Sequence, residues 1–65
     1  QISGLHCIAE YDVQMNKFRI TNFSSNRTYT GRGILEKGQF VSLEPGEWFY
    51  LQTSEQRYVF YLEVI

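Results

Sequence analysis

Sixty-five residues leave room for one domain, spanning residues 1–65, and a chain this short buries only about 60% of its unfolded surface. Six Lys/Arg against seven Asp/Glu give a net charge of −1, which argues against a nucleic-acid-coating surface with its basic excess. Cys7 is the only cysteine, which excludes an intramolecular disulfide and a Cys-based zinc finger, and a lone thiol fits a reducing compartment better than secretion.

No apolar run approaches the ~18–20 residues of a membrane span, and no basic-then-apolar leader opens the chain. Five Phe, five Tyr, Trp48 and nine Val or Ile favour strands and a packed core over disorder.

Residues 5–11 (LHCIAEY) read as the first strand, followed by a polar hairpin link at 12–16. Residues 17–21 alternate, with Phe18 and Ile20 on one face and Lys17, Arg19 and Thr21 on the other, the pattern of a half-buried strand. Residues 22–27 (NFSSNR) form a Ser/Asn loop whose side chains can bond the nearby backbone. Gly31-Arg32-Gly33 marks a turn, and residues 36–39 separate two short strands. Residues 40–43 (FVSL) alternate again. Glu44-Pro45-Gly46-Glu47 is a strong turn, because Pro45 presets φ and Gly46 accepts positive φ. Residues 48–51 (WFYL) are aromatic on both faces, as in an inner strand. After a link at 53–57, residues 58–65 (YVFYLEVI) are the longest β-prone run, of ambiguous period.

Six or seven short strands at this spacing predict an all-β fold, an antiparallel sandwich or small barrel, with no helix. The chain begins almost on top of its first predicted strand and ends inside its last, the pattern expected of a trimmed domain or a piece of a larger one.

Catalytic and metal chemistry find little support. His6 is the only histidine, and its neighbour Cys7 points to the opposite face of a strand, so the two cannot act together as base and nucleophile. No HxH, HxxxH or CxxC occurs, so neither a metal nor another cofactor is expected. The seven carboxylates are scattered, mostly in predicted turns, which reads as solvated surface. Gly31-Arg32-Gly33 lacks the spacing of a phosphate loop. Asn22-Phe23-Ser24 and Asn26-Arg27-Thr28 match the N-glycosylation pattern, which the free cysteine disfavours. The aromatics Trp48, Phe49 and Tyr50 could stack bases or sugars, but core is the commoner role in a small β domain.

The Ser/Asn loop is the one candidate binding element. Ser24, Ser25, Asn26, Arg27 and Thr28 set short hydroxyl and amide groups beside a cation. Such a cluster can hold a phosphate through several hydrogen bonds, with Arg27 or Arg32 supplying charge. An ordinary Asx/Ser turn accounts for the same residues.

Ile2-Ser3-Gly4-Leu5-His6-Cys7 resembles the Ser-x-x-His segment of forkhead-associated (FHA) domains. Asn26 lies twenty residues after His6, and the segment that holds it, Phe23-Ser24-Ser25-Asn26-Arg27-Thr28-Tyr29, resembles that family's S-x-N-G-T-(aromatic or Val) loop. Ile34-Leu35-Glu36-Lys37-Gly38 looks like the next strand and turn, Leu43-Glu44-Pro45-Gly46-Glu47-Trp48 resembles the L-x-x-G-D-x-I turn, and residues 58–62 resemble the last strand. The order is kept across essentially the whole chain, which is similar to the C-terminal two-thirds of such a domain.

The resemblance implies a β-sandwich that binds phosphothreonine peptides through the loops at one end. It is a non-enzymatic interaction module of signalling or DNA-damage-response proteins, intracellular in the nucleus or cytoplasm, with no nucleic acid or membrane as partner. It further implies that Ser3 and Ser25 contact the phosphate, with Gly4 beside Ser3. Asn26 would hold the peptide backbone, and His6 would be a buried buttress ordering the Ser3 loop. Three departures stand out. Gly4 sits where many members carry Arg, Lys or Asn. Arg27 replaces the usual Gly, which costs strain if that turn needs positive φ but adds a cation near the phosphate. The family's N-terminal strands and their phosphate-binding Arg have no counterpart, so another segment or chain would supply them. Two alternatives remain open: a degenerate FHA-like module that docks partners without phosphate, and an unrelated small β-barrel or cupin-like fragment.

Overall fold

A computed structural model describes residues 6–64. Seven strands follow in chain order: β1 (Cys7–Asp12), β2 (Lys17–Asn22), β3 (Thr28–Thr30), β4 (Gly33–Leu35), β5 (Phe40–Leu43), β6 (Trp48–Gln52) and β7 (Arg57–Tyr61). No helix occurs among the described residues, so none is long and apolar enough to cross a membrane.

The strands form two antiparallel sheets, ordered β1-β2-β5 and β4-β3-β6-β7. Each sheet keeps two edge strands and the ladders do not close, so the all-β expectation holds in its sandwich form and not as a barrel. β6 lies between β3 and β7, the inner position that its aromatic run predicts. The alternation in β2 decides which face is buried. Ile20 pairs with Val41 of β5 and Phe18 with Leu43, which puts these four apolar residues on one face. Arg19 is on the other, its guanidinium over the Phe40 ring. The second sheet contributes Leu35 and Phe49, the segment after β7 contributes Leu62, and these complete a core with Ile20 and Leu43. Half-buried Cys7, Phe18, Val41 and Leu51 pack around it.

The turns close as their residues require. In the β5–β6 turn the Glu47 N–H donates to the Glu44 carbonyl, and Gly46 has φ 95°. In the β4–β5 turn the Gln39 N–H donates to the Glu36 carbonyl, and Gly38 has φ 87°. Both are positive-φ positions that an L-residue occupies only with strain.

β7 is shorter than the run of residues 58–65 suggests. Beyond Tyr61, Leu62 keeps the β6–β7 register opposite Glu47 and is buried on the core-facing side it shares with Phe60. The Leu62 N–H donates to the Glu47 carbonyl, and its carbonyl accepts from the Gly46 N–H. Leu62 therefore pins the chain to the β5–β6 turn. The predicted first strand begins at residue 5 and the last ends at residue 65; both termini lie outside the described residues.

Among the described residues the core is five buried hydrophobic side chains, which leaves little redundancy. Leu43 is fully buried, and Leu43→Ala should cost about 2–4 kcal/mol, comparable with the whole stability of a domain this size. Ile34→Ala, at an exposed site, should change stability by less than about 0.5 kcal/mol. Urea unfolding followed by tryptophan fluorescence from Trp48 measures both.

Candidate functional site

Three chain segments meet at the end of the sandwich where β2 finishes and β3 begins. The Phe23 N–H donates to the His6 carbonyl at 2.8 Å, which ties the entry to β1 to the 23–27 loop. The Gly38 N–H donates to the Asn22 carbonyl at 2.7 Å, and the Asn22 N–H donates to the Gln39 carbonyl at 3.0 Å, which brings in the β4–β5 turn. His6, the Ser/Asn loop and the turn at 36–39 are therefore neighbours in space.

The organiser of this end is Asn22, which is fully buried. Its Nδ2 donates to the carbonyls of Ser24 (3.1 Å), Asn26 (3.0 Å) and Leu35 (3.0 Å). Its Oδ1 accepts from the Ser24 N–H at 3.2 Å and from the Thr28 hydroxyl at 3.0 Å. Two amide hydrogens serve three carbonyls, so at least one is shared. The Ser24 hydroxyl in turn accepts the Asn26 N–H at 3.0 Å. The backbone of this loop is thus held from inside at Ser24 and Asn26.

This wiring sorts the predicted site residues. Ser24 and Thr28 are structural: both hydroxyls hold the loop, and Thr28 is fully buried. Ser25 and Asn26 are exposed, and among the described residues neither side chain has a hydrogen-bond partner. Arg27 is exposed with an ordinary negative φ, so the strain feared for a glycine position does not arise. Its Nε lies 3.0 Å from Glu36 Oε2, and both side chains are about half exposed, an ion pair worth little in water. Lys37, in the same turn as Glu36, has no carboxylate partner among the described residues. His6 is half-buried, and its Nε2 is enclosed without a partner among the described residues. Ser3 and Gly4 lie outside the described residues.

Asn22 was legible only as one more member of a polar loop. The signal was present, since Asx side chains bond backbone two residues on, but its burial depends on Leu35, thirteen residues away. The fold leaves no room for a glycan on Asn22 of the Asn22-Phe23-Ser24 pattern, because that side chain is fully buried.

Arg32 does not join the loop. Its turn follows β3, so it lies at the opposite end of that strand. There its Nε donates to both Glu47 carboxylate oxygens, at 3.0 and 2.9 Å, and Glu47 Oε1 also accepts the Glu44 N–H at 2.6 Å. The Glu44 N–H and the Arg32 guanidinium together hold the Glu47 carboxyl below the ordinary carboxylate range. Burial pushes the Cys7 thiol up, away from the thiolate a nucleophile requires. No group of three or more potential metal ligands occurs among the described residues.

No family model, curated protein or solved structure matches the chain.

Two outcomes follow. Asn22→Asp replaces the three-carbonyl donor with a buried charge. It should destabilise the domain by about 3 kcal/mol or more, against about 1 kcal/mol for Thr28→Val, in urea melts. Glu47 is depressed in the folded state, so the unfolded state binds its proton first. The stabilisation it provides is complete at neutral pH and disappears as pH falls below the ordinary carboxylate range through its folded value. Melting temperatures of wild type and Glu47→Gln should differ at pH 7 and converge in acid.

Proposed function

We propose that this chain is a non-enzymatic phosphothreonine-peptide-binding module, an FHA-like domain or its principal part, with its site at the 23–27 loop. One observation carries the reading. Ser25 and Asn26 present uncommitted polar side chains on a loop whose backbone Asn22 has already fixed. Preorganised groups bind without an ordering cost, and unpaired donors discriminate against a ligand that lacks their partner. In this reading Ser25 donates to the phosphate and Asn26 bonds the peptide backbone beside the phosphothreonine. His6 stands behind, and its enclosed Nε2 suits a buttress that bonds Ser3. Ser3 and Gly4 would complete the phosphate contact, with Lys37 as an added cation. Arg27 joins only by leaving Glu36. The partner is a phosphothreonine-containing protein in a nuclear or cytoplasmic signalling pathway. A further segment or chain covers the exposed β1 edge.

A second reading, docking without phosphate, is favoured by Glu36. Its carboxylate occupies Arg27 and adds negative charge beside the loop.

An NMR titration with matched phosphothreonine and threonine peptide mixtures separates the two. Shifts at Ser25 and Asn26 with the phosphorylated mixture alone, lost in Asn26→Ala, are expected of the phosphopeptide module. Equal responses to both mixtures identify phosphate-independent docking. No response to either, from a folded sample, overturns both.

A further inference from the structure

The strand that completes the four-stranded sheet is unlike a protected edge. All five residues of β7 are exposed, and Tyr58, Val59, Phe60 and Tyr61 form an unbroken apolar and aromatic run. Natural edges are usually blunted by Lys, Pro or a bulge. Here Phe60 stacks on Phe49 of β6 with ring centroids 5.1 Å apart, yet is still 45% exposed. A ring facing the core side is half uncovered.

The direction of the free backbone groups follows from the ladder. Both backbone groups of Leu62 bond toward the β5–β6 turn, and the Gln56 carbonyl accepts from the Thr53 N–H. Alternation then turns the groups of Tyr58 and Phe60 toward β6 and those of Arg57, Val59 and Tyr61 outward. The outward residues are all odd-numbered. An antiparallel pairing of β7 with an identical strand must match odd residues with odd, so the two-fold axis passes through a residue and not between two.

Charge selects among the possible axes. With the axis on Phe60, Val59 faces Tyr61 of the second copy, and Arg57 faces its Glu63. With the axis on Val59, Arg57 faces Tyr61 and no carboxylate. The Phe60 axis alone gives opposite charges at both ends of the pairing among the described residues. It also sets Phe60 against Phe60 in the closer, non-hydrogen-bonded position, where side chains approach most nearly. The Arg57 guanidinium already sits 4.5 Å from the Tyr50 ring centroid on the outer face, the face that Glu63 shares by the same alternation.

We infer that β7 is a self-association edge. Two copies of this chain join antiparallel through β7 about an axis at Phe60, forming one continuous eight-stranded sheet, with Arg57 of each copy paired to Glu63 of the other. This goes beyond the phosphopeptide reading and does not depend on it, because the 23–27 loop takes no part in the pairing.

Sedimentation equilibrium across micromolar to millimolar protein tests the inference, with a thermal melt of each variant. The wild-type chain should dimerise. Val59→Pro should be monomeric yet folded, because the Val59 N–H points away from β6 and edge prolines are tolerated there. Arg57→Glu or Glu63→Arg alone should each weaken the dimer about tenfold, and the double exchange should restore it. If Val59→Pro does not fold, the charge exchange decides alone, since both sites are exposed. A wild-type chain that stays monomeric at millimolar concentration overturns the inference. So does a dimer indifferent to the charge reversals, because its register is then not the one derived. Association only with a different polypeptide in the assay also overturns it and assigns the edge to another occupant.

Discussion

The buried amide of Asn22 is the interaction on which the rest of this structure depends. It joins the end of β2, the 23–27 loop, the start of β3 and the end of β4 through five hydrogen bonds. Each bond satisfies a group that would otherwise be orphaned away from water. An apolar residue of similar size would leave three carbonyls, a hydroxyl and an N–H without a partner. A charged one would bury an uncompensated charge. Only a side chain with both donor and acceptor at one tip serves this position.

That solution separates support from display. Ser24 and Thr28 turn inward and are consumed by the fold, while Ser25 and Asn26 turn outward and keep their hydrogen-bonding capacity. The loop therefore has the features of a binding element: polar, exposed and held from inside. The opposite end of the second sheet uses its polar groups differently. There Arg32, Glu44 and Glu47 satisfy one another and staple two turns together. Arginine and glutamate pair at both ends, Arg32 with Glu47 at one and Arg27 with Glu36 at the other, while Ser25 and Asn26 keep unpaired side chains among the described residues.

The core explains why these polar staples matter. Five buried hydrophobic side chains are few for two sheets. β1 and β7 lie at open edges, and most of their residues face solvent. Leu62 compensates in part by adding a buried side chain to the core after β7 has ended. Stability is thus shared between a thin apolar centre and hydrogen-bonded turns, and the exposed aromatic edge remains available to cover.

Periodicity and turn chemistry determined much of this protein by themselves. Lys17–Thr21 and Phe40–Leu43 alternate as half-buried strands do, residues 48–51 are aromatic on both faces as an inner strand is, and Pro45-Gly46 admits few conformations but its turn. β3 was less legible, because Thr28–Thr30 is three residues long and sits between a polar loop and a glycine turn. The end of β7 at Tyr61 was not legible, because a continuous apolar run does not mark where regular pairing stops. The candidate loop was visible as a cluster of Ser and Asn, with Arg27 its apparent cation. Only the tertiary structure decided that Asn22 holds the loop from within, that Thr28 is sealed, and that Glu36 engages Arg27. The bonds from Asn22 to Ser24, Asn26 and Thr28 are local, but its burial under the Leu35 carbonyl and the Arg27–Glu36 pair depend on β4 and its turn packing beside the loop, which local pattern does not foretell.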